Sequence, residues 1–125
     1  MTQPLALIIE DEIDLSTIFS EALKAAGYAT EIISDGHQAV ERLKADSIPY
    51  LIILDLHLPG VDGKGILKEM RADPRFDKTR IVIASADAAF AQTLQKEAFF
   101  VLLKPISFSQ LRDLTQRLHP DRAHT

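Results

Sequence analysis

Five short apolar runs alternate along this chain with amphipathic stretches, and that alternation limits the fold more than any other feature. Leu5-Ala6-Leu7-Ile8-Ile9, Leu51-Ile52-Ile53-Leu54, Ile81-Val82-Ile83-Ala84 and Val101-Leu102-Leu103 are continuous and mostly branched. Runs of this kind suit strands covered on both faces, as in a parallel sheet. The remaining run, Ala29 to Ile33, mixes polar and apolar residues and suits an edge strand with one wet face.

The stretches between the runs carry helical periodicity. Leu15, Ile18, Phe19, Ala22, Leu23 and Ala26 recur at spacings of three and four, and Gly27 supplies a stop. Ala39, Val40 and Leu43 form a shorter stripe after Asp35-Gly36, and Ile66, Leu67 and Met70 form another, closed by Asp73-Pro74. Phe90, Ala91 and Leu94 follow Asp87, an N-cap candidate. Leu111, Leu114 and Leu118 follow Ser107, which with Gln110 makes a capping-box pattern, and Pro120 ends the stripe. Strand and helix in strict alternation predict right-handed crossovers and a doubly wound α/β fold with helices on both faces of a parallel sheet. At 125 residues the expectation is a single domain over 1–125, with a core from about residue 5 to 118 and a short tail.

Composition narrows the chemistry. Fourteen Lys plus Arg against eighteen Asp plus Glu give a net charge of −4, which argues against direct nucleic-acid binding. No cysteine is present, so thiolate nucleophiles, disulfides and iron–sulfur clusters are excluded. The apolar runs are far short of the roughly 20 residues a membrane helix needs. Met1-Thr2-Gln3-Pro4 shows no basic n-region. A cytoplasmic protein with no membrane contact is the expectation.

In open parallel sheets, sites form beyond the carboxyl ends of strands, near the point where strand order reverses. The residues just after the expected strands are Glu10-Asp11-Glu12, Asp55, Ser85-Ala86 and Lys104-Pro105. Acids after the first strand repel a bare phosphate, and neither a G-x-G-x-x-G nor a G-x-x-x-x-G-K-[ST] pattern occurs, so nucleotide binding has no support. If the first and third strands are neighbours, roughly 4.8 Å apart, Asp11 and Asp55 converge with Glu10 nearby. Clustered carboxylates share protons or bind a cation, and an all-oxygen set favours Mg²⁺. Glu12 and Asp14 are explained more simply as acids at a helix N-terminus. Lys104 can reach the cluster, Ser85 can donate a hydrogen bond across it, and Ala86 leaves room for an incoming group. Together these describe a site that stabilises a phosphoryl group on a carboxylate, with Asp55 as nucleophile.

From Leu5 to Leu118 the chain resembles the receiver domain of bacterial two-component response regulators. The segments that carry the likeness are Leu7 to Glu12, Ile53 to Gly63, Ile83 to Ala86, and Leu103-Lys104-Pro105, in the right order and spacing. The resemblance implies a flavodoxin-like fold with strand order 2-1-3-4-5, an arrangement for which a family member is a standard example. It implies that Asp55 accepts phosphate from a histidine kinase or phosphotransfer protein. Asp11 would bind Mg²⁺ directly, Glu10 mainly through water, and the carbonyl of His57 as a further ligand. Ser85 and Lys104 would contact the phosphoryl oxygens. Side chains at His57 and Asp87 would modulate loss of the phosphoryl group, although a solvated loop histidine explains His57 equally well. The implied role is a signalling switch acting on a downstream protein, with only its own phosphorylation and dephosphorylation as chemistry.

Departures from the family pattern concern output. Val101 stands where the family usually has an aromatic ring, Glu97 where it usually has Gly, and Phe99 and Phe100 at positions often polar. These leave open a non-switching, receiver-like interaction module. A hydrolase with an aspartate nucleophile is disfavoured by His57 two residues after Asp55, and a flavin carrier by the acids after the first strand. Strand alternation predicts that Phe99 or Phe100 points outward, making Phe99, Phe100 and Val101 a candidate output or weak self-association face. His37, His119 and His124 are expected on helix surfaces or the tail without function. With Thr125 close behind the last helix, the chain reads either as a stand-alone regulator or as a receiver cut from a longer protein.

Overall fold

The computed structural model describes residues 3–121. Its elements run β1 (Leu5–Ile9), α1 (Ile13–Ala25), β2 (Ala29–Ile33), α2 (Gly36–Leu43), β3 (Leu51–Asp55), α3 (Gly63–Ala72), β4 (Arg80–Ser85), α4 (Ala88–Gln92), β5 (Phe100–Leu103) and α5 (Phe108–Leu118), with one 3₁₀ turn at Pro74–Phe76. The strands form one parallel sheet in the order β2-β1-β3-β4-β5. The order reverses between β1 and β3, so the ends of those two strands open the crevice where a site is expected.

Strict two-residue alternation in the central strands divides the core into two layers. Leu7, Ile9, Ile52, Leu54, Ile81 and Ile83 face α2, α3 and α4, where Ala39, Ile66, Leu67, Met70 and Ala91 cover them. Ala6, Ile8, Leu51, Ile53, Val82 and Ala84 face the other way, under Phe19, Ala22, Leu23 and Leu111 of α1 and α5. Both edge strands are wet. Ile32 of β2 is 44% exposed, and Phe100 and Leu103 of β5, whose apolar run suits a strand covered on both faces, are 45% and 48% exposed because β5 has no neighbour beyond it.

The stop and start signals act as their chemistry requires. Gly27 sits at φ +99°, which lets the Tyr28 N–H return to the Leu23 carbonyl and close α1. Asp35, Asp87 and Ser107 each accept a backbone N–H three residues on, from Gln38, Phe90 and Gln110. One element falls short of its pattern: α4 has a single helical stretch of five residues, and Leu94 lies in the turns beyond it while still packing in the core. The C-terminus of α5 is capped from outside. The Tyr28 hydroxyl donates to the Thr115 carbonyl (2.7 Å) and the Tyr50 hydroxyl to that of Leu118 (2.8 Å), two carbonyls the helix itself leaves without donors.

His119 departs from expectation. Its Nε2 lies 3.1 Å from the Gly27 carbonyl and its ring meets Tyr28 edge-on at 5.1 Å, so it packs between α5 and the α1–β2 turn instead of facing solvent. His37 is exposed as expected, and His124 lies outside the described residues. Among the described residues no helix is long and apolar enough to cross a membrane.

Candidate functional site

Four strand ends deliver the polar groups. Asp55 is the last residue of β3 and Ser85 the last of β4, while Glu10 and Lys104 directly follow β1 and β5. The registers Ile9↔Leu54, Asp55↔Ala84 and Ser85↔Leu103 set these ends side by side. Close packing beneath them depends on Gly63 at the start of α3. A Cβ there would lie 2.7 Å from both the Asp55 carbonyl oxygen and the Leu56 Cα, so only glycine lets α3 begin this near β3.

Glu10 and Asp55 are 1% and 3% exposed, whereas Asp11 is exposed at the crevice mouth. One oxygen from each of the three carboxylates lies within 4.8 Å of the others. Lys104 crosses from β5 to place Nζ 2.9 Å from Glu10 Oε1 and 3.6 Å from Asp55 Oδ2. The Lys104–Pro105 peptide bond is cis. The second oxygen of each buried acid is held by backbone: the Glu12 N–H donates to Glu10 Oε2 (3.2 Å) and the His57 N–H to Asp55 Oδ1 (3.0 Å).

These surroundings set the protonation balance. Burial pushes the Asp55 carboxyl up to about 6; the His57 amide opposes this, Glu10 adds to it and Lys104 counters. For Lys104, burial alone favours the neutral amine, but the hydrogen bond to Glu10 and the charge of Asp55 outweigh it and raise the pKa. Three acids around one lysine leave a site with more negative charge than the protein neutralises. A hard divalent cation fits that donor set, which offers carboxylate oxygens and no soft ligand.

Ser85 is fully buried but turned toward its own loop. Its hydroxyl accepts the Asp87 N–H at 3.0 Å and donates to the Asp87 carbonyl at 3.4 Å. Asp87 in turn caps α4 through the Phe90 N–H (3.0 Å), and the Phe90 ring lies 6.0 Å from that of His57. A chain of contacts therefore runs from Asp55 through His57, Phe90 and Asp87 to Ser85. Phe90 belongs to the apolar stripe of α4, and nothing in that stripe points to the loop beyond β3. Ala86 and Asp87 are exposed beside the crevice.

A model of the response regulator receiver domain family matches residues 6–116. The chain belongs to that family. This receiver domain is 41% identical over 83 residues to the transcriptional regulatory protein BaeR of Escherichia coli O6:H1, an alignment covering 66% of this chain and 33% of that one. It is 26% identical over 117 residues to sporulation initiation phosphotransferase F of Bacillus subtilis, covering 91% of this chain and 92% of the relative. The receiver domain thus spans a third of BaeR but nearly all of the phosphotransferase. Among solved structures, the receiver domain of the sensor histidine kinase PA1611 from Pseudomonas aeruginosa PAO1 superposes with a TM-score of 0.80 at 28% identity, covering 94% and 96% of the two chains. That structure holds a magnesium ion in its active-site cleft. As a receiver domain the chain is a module of two-component signalling, a switch by family and not a metabolic enzyme.

The three residues singled out for output differ among themselves. Phe99 and Phe100 are 47% and 45% exposed, while Val101 is partly buried against the layer that holds α4. Leu103 and Phe108 are also exposed nearby. Val101 packs partly into that layer while its remaining surface lines a depression beside Phe99 and Phe100.

Proposed function

We propose that Asp55 is the phosphoacceptor, taking its phosphoryl group from the phosphohistidine of a histidine kinase or phosphotransfer protein. The observation that carries this reading is a carboxylate 3% exposed at the sheet's switch point, with Lys104 and two further acids beside it. An Asp55 oxygen attacks phosphorus, the P–N bond breaks, and its electron pair returns to the imidazole nitrogen. Water later attacks the phosphorus of the aspartyl phosphate; the P–O bond to Asp55 breaks, its electron pair returns to the carboxylate, and inorganic phosphate leaves. Glu10, Asp11 and Asp55, with the His57 carbonyl, would hold Mg²⁺. When bound, that ion supplies charge neutralisation between carboxylate and phosphoryl oxygens.

The protein's own groups divide the remaining work. Lys104 stands on the Asp55 Oδ2 side and neutralises charge delivered there. The His57 amide fixes the other oxygen, which limits rotation of the nucleophile. Ser85 is the movable donor: a phosphoryl oxygen offers its hydroxyl a charged acceptor stronger than the Asp87 carbonyl. Releasing Asp87 shifts the cap of α4, and the shift reaches the face built from α4, β5 and α5. Phe99 and Phe100 there engage a downstream protein or a second receiver weakly.

Incubation with a small phosphodonor and Mg²⁺, followed by intact mass measurement, tests this reading. A phosphoryl adduct lost in Asp55→Asn supports it. No adduct on a folded parent protein leaves a non-switching interaction module.

A further inference from the structure

At the opposite end of the sheet from the carboxylates lies a cavity of about 640 Å³, between the start of β4, the end of α3 and the segment leading into β5. Arg71, Lys78, Arg80 and Lys96 line it against only Asp77 and Glu97, an excess of cations on a protein whose net charge is −4. Arg71 is committed to the fold, since its guanidinium donates to the carbonyls of Glu97 (2.7 Å), Thr79 (3.2 Å) and Phe76 (3.5 Å). Arg80 is not. It lies over the Phe99 ring at 4.5 Å, and its Nε donates to the Tyr50 hydroxyl at 3.3 Å. Tyr50 is itself anchored on the Leu118 carbonyl. Among the described residues no acceptor engages the two terminal amino groups of Arg80. A cation so oriented, and stacked on an aromatic ring, is prepared for a planar anion.

Two features say what that anion is attached to. Phe99 also lines a second depression, of about 280 Å³, with Gln95, Phe100 and Val101, so a charged socket and an apolar ledge share one ring. An occupant of both is longer than a small phosphate and joins an anion to an apolar group. Glu97 also lines the socket, and its Oε2 is shut from solvent without a hydrogen-bond partner. Lys78 and Lys96 are exposed, so with Arg80 they offer positive charge to an anion arriving from solvent. Arg and aromatic residues together are also the usual anchors of protein interfaces.

We propose that this corner docks a protein segment in which carboxylate side chains adjoin an apolar residue, the carboxylate on Arg80 and the apolar group on the Phe99–Phe100 ledge. The proposal names the chemistry of a partner for the output face and does not depend on phosphorylation of Asp55. The test is an amide NMR titration of the full chain with the peptide acetyl-Glu-Glu-Phe-amide, beside acetyl-Gln-Gln-Phe-amide and inorganic phosphate. The acidic peptide should give saturable shifts centred on residues 78–80 and 96–100. The neutral peptide should bind about tenfold more weakly, as expected for loss of a charge-assisted hydrogen bond. Arg80→Gln should abolish the shifts. The exposed rim pair Lys78→Gln with Lys96→Gln should weaken them without lowering the melting temperature, and Asp55→Asn should leave them unchanged. Equal binding of both peptides, absence of shifts at millimolar peptide, or tighter binding of inorganic phosphate at Arg80 would each overturn the proposal. So would concentration-dependent shifts at these residues without peptide, which would identify a second copy of the chain as the occupant.

Discussion

The two ends of the sheet bury charge in opposite ways. At the carboxyl end, Glu10 and Asp55 share one lysine, and burial raises the Asp55 pKa to about 6. At the amino end, Arg71 meets three carbonyls from two segments, Thr79 donates to the Pro49 carbonyl, and Tyr28 and Tyr50 cap α5. The first arrangement leaves charge that a metal and a phosphoryl group can complete. The second largely closes on itself; Arg80 faces outward, and Glu97 Oε2 is shut from solvent without a hydrogen-bond partner. Buried polar groups that satisfy one another stabilise the fold; those that do not are where reactivity resides.

The sharpest way to break this comparison is to remove one partly buried cation at each end. Arg71→Ala leaves the Glu97 and Thr79 carbonyls without their donor and should cost about 3 kcal/mol in urea unfolding. Neither pH nor Asp55→Asn should repair that loss. Lys104→Ala leaves Glu10 and Asp55 facing each other, but Asp55 can take up a proton. Its cost should therefore stop at about 2 kcal/mol at pH 8 in chelator. Combining it with Asp55→Asn should recover most of the loss, a coupling readable in a double-mutant cycle. Equal behaviour of the two ends would erase the distinction.

A smaller effect of opposite sign belongs to Asp55 alone. Its pKa in the fold, about 6, lies above the value near 3.9 of an unfolded aspartate. Its contribution to stability is therefore complete below about pH 4 and is lost as pH rises through about 6. In chelator at pH 7, Asp55→Asn should stabilise the protein by about 1–2 kcal/mol, and thermal melts should show the gain vanish toward pH 4. A gain that persisted at pH 4 would assign the effect to packing instead of charge.

The sheet and its carboxyl end were legible because each rests on local signals. Continuous branched runs mark buried parallel strands, and an acid ending such a run is costly unless something meets it. Gly27, Asp35, Asp87 and Ser107 announce helix ends through their own backbone chemistry. The amino end was not legible. Arg71, Tyr28, Tyr50 and Arg80 act across separations of 26, 87, 68 and 30 residues, and no local spacing reports such partners. His119 was misjudged for the same reason, since its partner Gly27 lies 92 residues away. The turned-in hydroxyl of Ser85 is a matter of rotamer, which strand position alone does not fix.

The smallest expected change in stability tests the contacts that leave Asp55 through aromatic rings. Phe90 lies 6.0 Å from His57 and 5.9 Å from the Lys64 ammonium, and it is only partly buried. Phe90→Leu keeps an apolar side chain of similar size and should cost less than about 1.5 kcal/mol. Its effect on the phosphoryl group should be larger in proportion. The ring pair holds the loop beyond β3 against α4, and without it water reaches Asp55 more freely, so the aspartyl phosphate should decay severalfold faster. His57→Ala should accelerate decay similarly, because it removes the other half of the same pair. The double variant should then be no faster than either single one. Decay monitored by intact mass would show this, and independent, multiplicative acceleration would mean that the two rings act separately, leaving Ser85 and Asp87 as the sole connection from the phosphorylation site to α4.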